Sequence, residues 1–168
     1  RSSRYCVRIA SKQSRTSASC RDHDDIHNST DALAISLREG GIEYVPFQEL
    51  GGRRRPRPDS HNTVWRNSAF RGYADYMETP EFVRGVERLE DLAYRRATAV
   101  MCAEALWWKC HRALISDYEK ARGGEVLHIL SENKVEPHPY TSAARIIGGE
   151  LSYRDSSADA TTPELWPA

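Results

Sequence analysis

Residues 97–130 read ATAVMCAEALWWKCHRALISDYEKARGGEVLHIL, and this stretch decides the fold. Residues 97–101 are a short apolar run with β-branched content, which predicts a buried strand that ends at Cys102. Residues 111–122 carry apolar side chains at helical spacing and stop at Gly123-Gly124, a usual helix end. Residues 125–130 again predict a buried strand. We therefore expect strand, helix and strand to form one right-handed parallel crossover unit.

The polar residues of this stretch fall where open α/β sheets bind ligands, at the carboxyl ends of strands. Cys102 ends a strand, and Cys110 and His111 begin the following helix. A helix amino terminus favours a thiolate, so Cys110 is predicted to be the activated thiol, with Glu104 or His111 as the proton carrier. The predicted catalytic residues are Cys102, Glu104, Cys110, His111 and Arg112.

The same residues have three other uses. The two cysteines can be small buried structural residues. Cys102, Cys110 and His111 are ligand types that suit zinc, with Glu104 or water as a fourth ligand, although their spacing matches no standard zinc motif. A reversible disulfide between the two cysteines requires that the loop fold back on itself.

The rest of the chain alternates helices and strands. We expect helices from about residue 30 to Gly40-Gly41, from a cap at Ser68, and from Pro80, a strand at residues 42–47, and a hairpin at residues 145–153. The predicted fold is α/β, an open, mostly parallel three-layer sheet with helices on both faces, truncated at its N terminus, plus the C-terminal hairpin. His128 and His138 are isolated in sequence, and His128 is predicted to be an ordinary core or edge residue.

An arginine-rich loop precedes the second predicted helix. Arginine forks match phosphate oxygens, and interleaved aromatic residues such as Trp65 and Phe70 can stack on bases, so a nucleotide or nucleic acid is a candidate partner. A solvated loop is the alternative, because the net charge of the chain is zero. The predicted phosphate-binding residues are Arg53, Arg54, Arg55, Arg66 and Arg71.

Length and composition indicate one soluble domain. The chain has 168 residues, four cysteines and a mean hydropathy of −0.67, with no apolar run that could cross a bilayer. We expect a cytoplasmic protein with reduced cysteines and no membrane partner. Residues 1–29 are basic and rich in Ser and Arg, and are predicted to be disordered or mistranslated; residues 30–154 form the domain, and residues 155–168 a disordered tail.

Four segments resemble the bacterial domain-of-unknown-function family 488: DALAISLREGGIEYVPFQELGGRRRP, WRNSAFRGYADYMETPEF, VMCAEALWWKCHRALI and EVLHI with the hairpin after it. They cover residues 31–153. The resemblance implies a compact α/β domain with a CAE and CHR cysteine signature and no agreed activity. Family members usually begin with two strands, which end in Gly-His-Ser and Asp-Val-Arg. Neither motif is found before Asp31, so the resemblance leaves an inactive, truncated member of the family as one alternative.

The leading hypothesis is a thiol-dependent enzyme or regulator that acts on a phosphate-bearing or nucleotide ligand. The alternatives are a nucleic-acid-binding module with structural cysteines, a zinc site on Cys102, Cys110 and His111, and an inactive member of the family. No cofactor is predicted, and the oligomeric state is left open.

Overall fold

The computed structural model describes residues 6–11 and 23–155, with side chains from residue 31 onward. These residues belong to two compact units, residues 13–48 and the remainder of the chain. The first unit contains helix α1 (His23–Glu39). The second contains helices α2 (Ser68–Met77), α3 (Pro80–Arg95) and α4 (Arg112–Ala121), and strands β1 (Cys6–Ser11), β2 (Ala99–Cys102), β3 (Glu125–Ser131), β4 (Lys134–Pro137), β5 (Arg145–Ile147) and β6 (Glu150–Ser152).

The larger sheet has the strand order β2-β1-β3-β4. Strands β2, β1 and β3 run parallel, whereas β4 pairs with β3 in the antiparallel direction. The predicted strand-helix-strand unit is therefore present as β2, α4 and β3, with β1 inserted between its two strands. At the carboxyl edge of the sheet, Ser11 is in register with Cys102.

The helix boundaries follow the sequence signals closely. Asn67, one residue before the predicted cap, begins α2, and its side-chain oxygen accepts hydrogen bonds from the backbone N–H groups of Ala69 and Phe70. Thr79 caps α3, and Pro80 is its first residue, as predicted. Helices α2, α3 and α4 bury their apolar faces in the core of the second unit, which includes Tyr73, Phe82, Leu89, Leu114 and Ile115.

The structure confirms some of the predicted elements and corrects others. The α/β class and the hairpin β5-β6 are confirmed, but the sheet is mixed because β4 is antiparallel. The predicted strand at residues 42–47 is wrong: this segment has no regular secondary structure and pairs with no strand among the described residues. Within the predicted disordered segment, residues 6–11 form β1; most of that segment, and residues 156–168 of the predicted tail, lie outside the described residues.

Throughout residues 6–11 and 23–155, no helix is both long and apolar enough to cross a lipid bilayer.

Candidate functional site

Two cysteines meet at the carboxyl edge of the sheet. Cys102 ends β2, and Cys110 follows a single 3-10 turn, Trp107–Lys109, that returns the chain toward it. The backbone N–H of Cys110 donates to the carbonyl of Trp107 and closes this turn. As a result, the two Sγ atoms lie 3.2 Å apart, with Cys110 as the donor and Cys102 as the acceptor.

The two sulfur atoms are inequivalent, because their pKa values are shifted in opposite directions. The hydrogen bond from Cys110 outweighs the effect of burial and, with the backbone N–H groups of Glu104 and Ala103 and the charge of Arg112, lowers the pKa of Cys102 to about 6. Donation of that hydrogen bond, together with burial, raises the pKa of Cys110. These pKa directions favour Cys102, rather than the predicted Cys110, as the activated thiol.

The reason is positional. Helix α4 begins at Arg112 with His111 as its cap residue, so Cys110 lies outside the first helical turn. Cys110 is also only 4% exposed, whereas Cys102 is half-buried and retains contact with solvent. A charged sulfur is less costly at the more solvated position.

His111 completes a group of three side chains. Its Nδ1 lies 3.4 Å from Sγ of Cys110, and the candidate ligand atoms of Cys102, Cys110 and His111 all lie within 4.8 Å of one another. Burial and the neighbouring Arg112 lower the pKa of His111 to about 4, despite an opposing hydrogen bond with the backbone of Leu50. The imidazole is therefore neutral near pH 7 and has a lone pair available.

Arg112 and Glu104 contribute in different ways. The Arg112 guanidinium is 1% exposed and donates to the backbone carbonyl of Glu104. The Glu104 side chain is exposed, so this residue is held in the site by its backbone. Four of the five predicted catalytic side chains thus lie together, and the carboxylate of Glu104 points to solvent.

The arginine loop lies directly against α2 and the site. A Cβ on Gly72 would come within 2.4 Å of the Arg54 carbonyl, and a Cβ on Gly52 within 2.4 Å of the His111 ring. Because both glycines lack a side chain, the loop backbone can approach this closely. Arg54 stacks on Tyr76, with 3.9 Å between Cζ and the ring centroid.

The other predicted phosphate-binding arginines are placed differently. Arg53, Arg55 and Arg66 are exposed, and Arg71 is half-buried. The interleaved aromatic residues stack on one another, with 4.9 Å between the ring centroids of Trp65 and Phe70. Of the five predicted phosphate-binding arginines, Arg54 is the one that lies at the site, where its charge helps to lower the pKa of His111.

A second polar cluster lies outside every motif that the sequence analysis identified. His128 of β3, His138 after β4 and Asp117 of α4 form a buried hydrogen-bonded chain, and Trp107 of the site loop stacks on the His128 ring. These residues are 10 to 21 positions apart, so no local motif marks them. His128 is a buried strand residue, as expected, and its ring belongs to this polar network.

Fold and site together define a mixed α/β protein with a Cys-Cys-His group at the carboxyl edge of a partly parallel sheet. The sequence model described as "Domain of unknown function DUF488" matches residues 20–119. This match covers more than half of the chain, and the protein belongs to that family, as the resemblance predicted. No curated protein and no solved structure matches the chain.

Proposed function

We propose that the protein is a thiol-dependent enzyme or regulator in which the Cys102 thiolate is the reacting group. The observation that carries the proposal is the 3.2 Å contact between a half-buried sulfur and a buried one that donates to it. A half-buried thiolate held by an S–H donor, backbone N–H groups and a guanidinium is the arrangement that makes a cysteine nucleophilic near neutral pH. Cys110 supplies the hydrogen bond and is placed to form a disulfide with Cys102 on oxidation.

The ligand we propose is phosphate-bearing, and a nucleotide is one member of that class. Arg54 lies at the site, and its Nε is buried with no hydrogen-bond acceptor. An oriented guanidinium N–H without an acceptor favours binding of an anion. The exposed Arg53 and Arg55 flank Arg54 on the same loop and add positive charge next to it.

Alkylation with iodoacetamide tests the thiolate. At neutral pH, roughly nine-tenths of a thiol with a pKa of 6 is ionised, against about one-hundredth of a thiol with a pKa near 9. We expect one fast-reacting cysteine per chain, and the fast phase disappears in Cys102→Ser. In Cys110→Ala the fast phase persists, but its midpoint shifts to higher pH because the donated hydrogen bond is gone.

Cys20→Ser is the matched control and leaves the fast phase unchanged. Equal labelling rates at all four cysteines, or a fast phase that survives Cys102→Ser, contradict the proposal. Phosphate binding is measured separately, as protection of Cys102 from iodoacetamide by inorganic phosphate. We expect protection that is lost in Arg54→Gln and kept in Arg84→Gln, an exposed arginine of α3.

A second candidate function is zinc binding, favoured by the approach of Cys102, Cys110 and His111 within 4.8 Å. Ligand atoms held about 2.0–2.3 Å from one zinc ion lie roughly 3.5–3.8 Å apart, so small side-chain rotations bring these three onto one ion. Adjacent Cys and His side chains rarely point the same way, yet these two do. Three protein ligands leave a fourth position for water, as in catalytic zinc sites.

Metal analysis of protein purified under reducing conditions tests this candidate. About one zinc per chain that is lost in His111→Ala and kept in His61→Ala, an exposed histidine, supports it. Metal-free protein that does not take up cobalt(II) with thiolate charge-transfer absorption rules it out. The alkylation experiment is interpreted on the metal-free protein, so the two candidates are tested independently.

The remaining alternatives have their own signatures. A nucleic-acid-binding module predicts affinity that falls with salt by a log-log slope of roughly −0.7 to −0.9 per phosphate neutralised. An inactive family member predicts neither a fast thiol nor a ligand. We keep a three-layer arrangement with helices on both sheet faces, and a cytoplasmic location, as parts of the leading proposal.

A further inference from the structure

Asp117 of α4 anchors a buried polar chain behind the cysteine site. Its carboxylate is 0% exposed. The backbone N–H of Thr141 donates to Oδ1 at 2.8 Å, and the hydroxyl groups of Thr141 and Tyr153 donate to Oδ2 at 2.6 and 2.8 Å. His138 Nε2 is the fourth neighbour, 3.0 Å from Oδ1. Because three of these contacts are donors, the carboxylate acts as an acceptor and accepts a fourth hydrogen bond from Nε2 of His138.

This donation fixes the direction of the whole chain. With its Nε2–H directed at Asp117, neutral His138 has a lone pair on Nδ1, which lies 2.8 Å from Nε2 of His128. Nε2 of His128 must then carry the hydrogen that it donates. The remaining ring nitrogen, Nδ1 of His128, has a lone pair, and this buried atom has no hydrogen-bond partner.

His128, the open end of the hydrogen-bonded chain, lies on the same face of the sheet as Cys102. His128 is in register with Ile9 of β1, which pairs with Val100, two residues before Cys102. Side chains two residues apart on a strand share a face, so His128 and Cys102 share one face of the sheet, separated by two strand spacings and two residues, or about 12 Å between Cα atoms. A small ligand and a water molecule fit within such a separation.

The site loop also connects the two clusters. The Trp107 ring lies flat on the His128 ring, with 4.1 Å between centroids and 8° between planes, and the Trp107 carbonyl accepts from the backbone N–H of Cys110. Arg112 affects both clusters, because its charge lowers the pKa of Cys102 in the cysteine site and the pKa of His128 in the buried polar chain. Trp107 covers one face of the imidazole, so a donor reaches Nδ1 in the plane of the ring.

We propose that Asp117, His138 and His128 form a proton relay that activates water for the cysteine site, with His128 as the general base. The proposal rests on the proposed thiol function. A thiolate that takes an acyl group from an ester donor forms a thioester, which must be hydrolysed before the next turnover.

The reaction is the hydrolysis of a thioester on Cys102 by one water molecule. The water oxygen bonds to the carbonyl carbon, one water proton moves to Nδ1 of His128, and the proton on Nε2 of His128 moves to Nδ1 of His138. The C–S bond breaks, Cys102 leaves as a thiolate, and the products are a carboxylic acid and a His138 imidazolium paired with Asp117. His138 and Asp117 are positioning residues in this scheme, because only His128 contacts the water.

Storage of the proton on His138 follows from the charges around the chain. Burial, His138 and Arg112 lower the pKa of His128 to about 4, so His128 is a poor place for a resting positive charge. His138 contacts the Asp117 carboxylate, while the Lys120 ammonium donates to the His138 backbone carbonyl and lies over the Tyr140 ring. Tyr153 faces the same carboxylate, whose charge and burial raise the pKa of its hydroxyl, so it remains a neutral donor.

The relay makes a specific prediction for histidine NMR of the native chain. At about pH 8, we expect His128 with hydrogen on Nε2 and a bare Nδ1, and His138 with hydrogen on Nε2. When acid protonates His138, His128 must switch its hydrogen from Nε2 to Nδ1 at the same midpoint. The exposed His61, which lies outside this hydrogen-bonded chain, is the internal control. If His128 keeps its Nε2 hydrogen while His138 becomes an imidazolium, the relay is overturned.

Kinetics with p-nitrophenyl acetate test the catalytic role. In the wild-type chain we expect a burst of about one p-nitrophenolate per chain, followed by slower turnover limited by hydrolysis of the thioester. His128→Phe retains a ring for Trp107 to stack on; its burst persists, but steady turnover falls roughly 10²-fold or more. His61→Phe changes neither phase.

The outcomes separate the two proposals. A wild-type chain without a burst, or a burst retained in Cys102→Ser, overturns the thiol function, and the base role of His128 falls with it. A normal burst with unchanged turnover in His128→Phe overturns the relay alone. If His128→Phe does not fold, the NMR titration of the wild-type chain and of Tyr153→Phe tests the relay instead. Tyr153→Phe removes one donor to Asp117 and leaves both histidines in place, so it must retain the tautomer switch.

Discussion

Arg112 is the residue that most strongly links burial to reactivity in this protein. Its guanidinium is almost fully buried, and its charge favours the thiolate form of Cys102. In Arg112→Met we expect the pKa of Cys102 to rise from about 6 by about one unit or more, because an adjacent positive charge is lost. The midpoint of the alkylation profile against pH reports this shift directly. Below that midpoint Cys102 is protonated and unreactive, so the variant loses reactivity at neutral pH.

Arg122→Met is the matched control for this substitution. Arg122 follows the same helix, is exposed and pairs with Glu90 on the surface, so its loss leaves the midpoint unchanged. A similar shift in both variants would show that general charge, rather than the local contact, sets the pKa of Cys102. Circular dichroism and urea unfolding confirm that Arg112→Met remains folded, since a buried arginine is exchanged for a side chain of similar length.

At the scale of elements, the contact between the arginine loop and α2 determines where Arg54 lies. In Gly72→Ala the added Cβ would lie 2.4 Å from the Arg54 carbonyl and 2.7 Å from the Arg55 carbonyl carbon. Backbone atoms cannot rotate away as a side chain can, so the loop must shift outward. We expect a loss of about 1–3 kcal/mol in the free energy of unfolding, measured with urea, together with loss of phosphate protection at Cys102.

Gly40→Ala is the control, because its nearest backbone oxygen would lie 3.4 Å from the new Cβ and no positive φ is required there. It should be neutral or slightly stabilising, since alanine restricts the unfolded chain. If Gly72→Ala is equally well tolerated, the loop is held less closely against α2 than the distances indicate.

The elements also show which parts of the fold a sequence reveals. Helices α2 and α3 were predictable because a cap residue and an apolar stripe lie within one segment, and the close approach of Cys102 to Cys110 followed from a strand end and a helix start. The segment at residues 42–47 has strand-like composition, but pairing depends on a distant partner that composition does not encode. The direction in which the pKa of each sulfur shifts depends on one S–H direction and on burial, and sequence spacing encodes neither of them.

At the scale of the molecule, the body formed by residues 49–155 is held together through Asp117. One carboxylate of α4 joins Thr141 in the segment after β4 and Tyr153 at the end of the hairpin strand β6, and through His138 and His128 it reaches β3. Separate elements therefore share one buried charge. Such a charge is stable only while its donors are in place, and removal of one donor leaves part of its desolvation cost uncompensated.

Tyr153→Phe removes a single hydroxyl from this network and keeps the ring that packs on Trp65. We expect a loss of about 1–3 kcal/mol in the free energy of unfolding, since a donor to a buried carboxylate is lost. Tyr140→Phe, an exposed tyrosine nearby, should change it by less than about 0.5 kcal/mol. Urea unfolding measures both. Equal stability of the two variants would mean that apolar packing holds the hairpin, because the charge of Asp117 would then be satisfied without the Tyr153 hydroxyl.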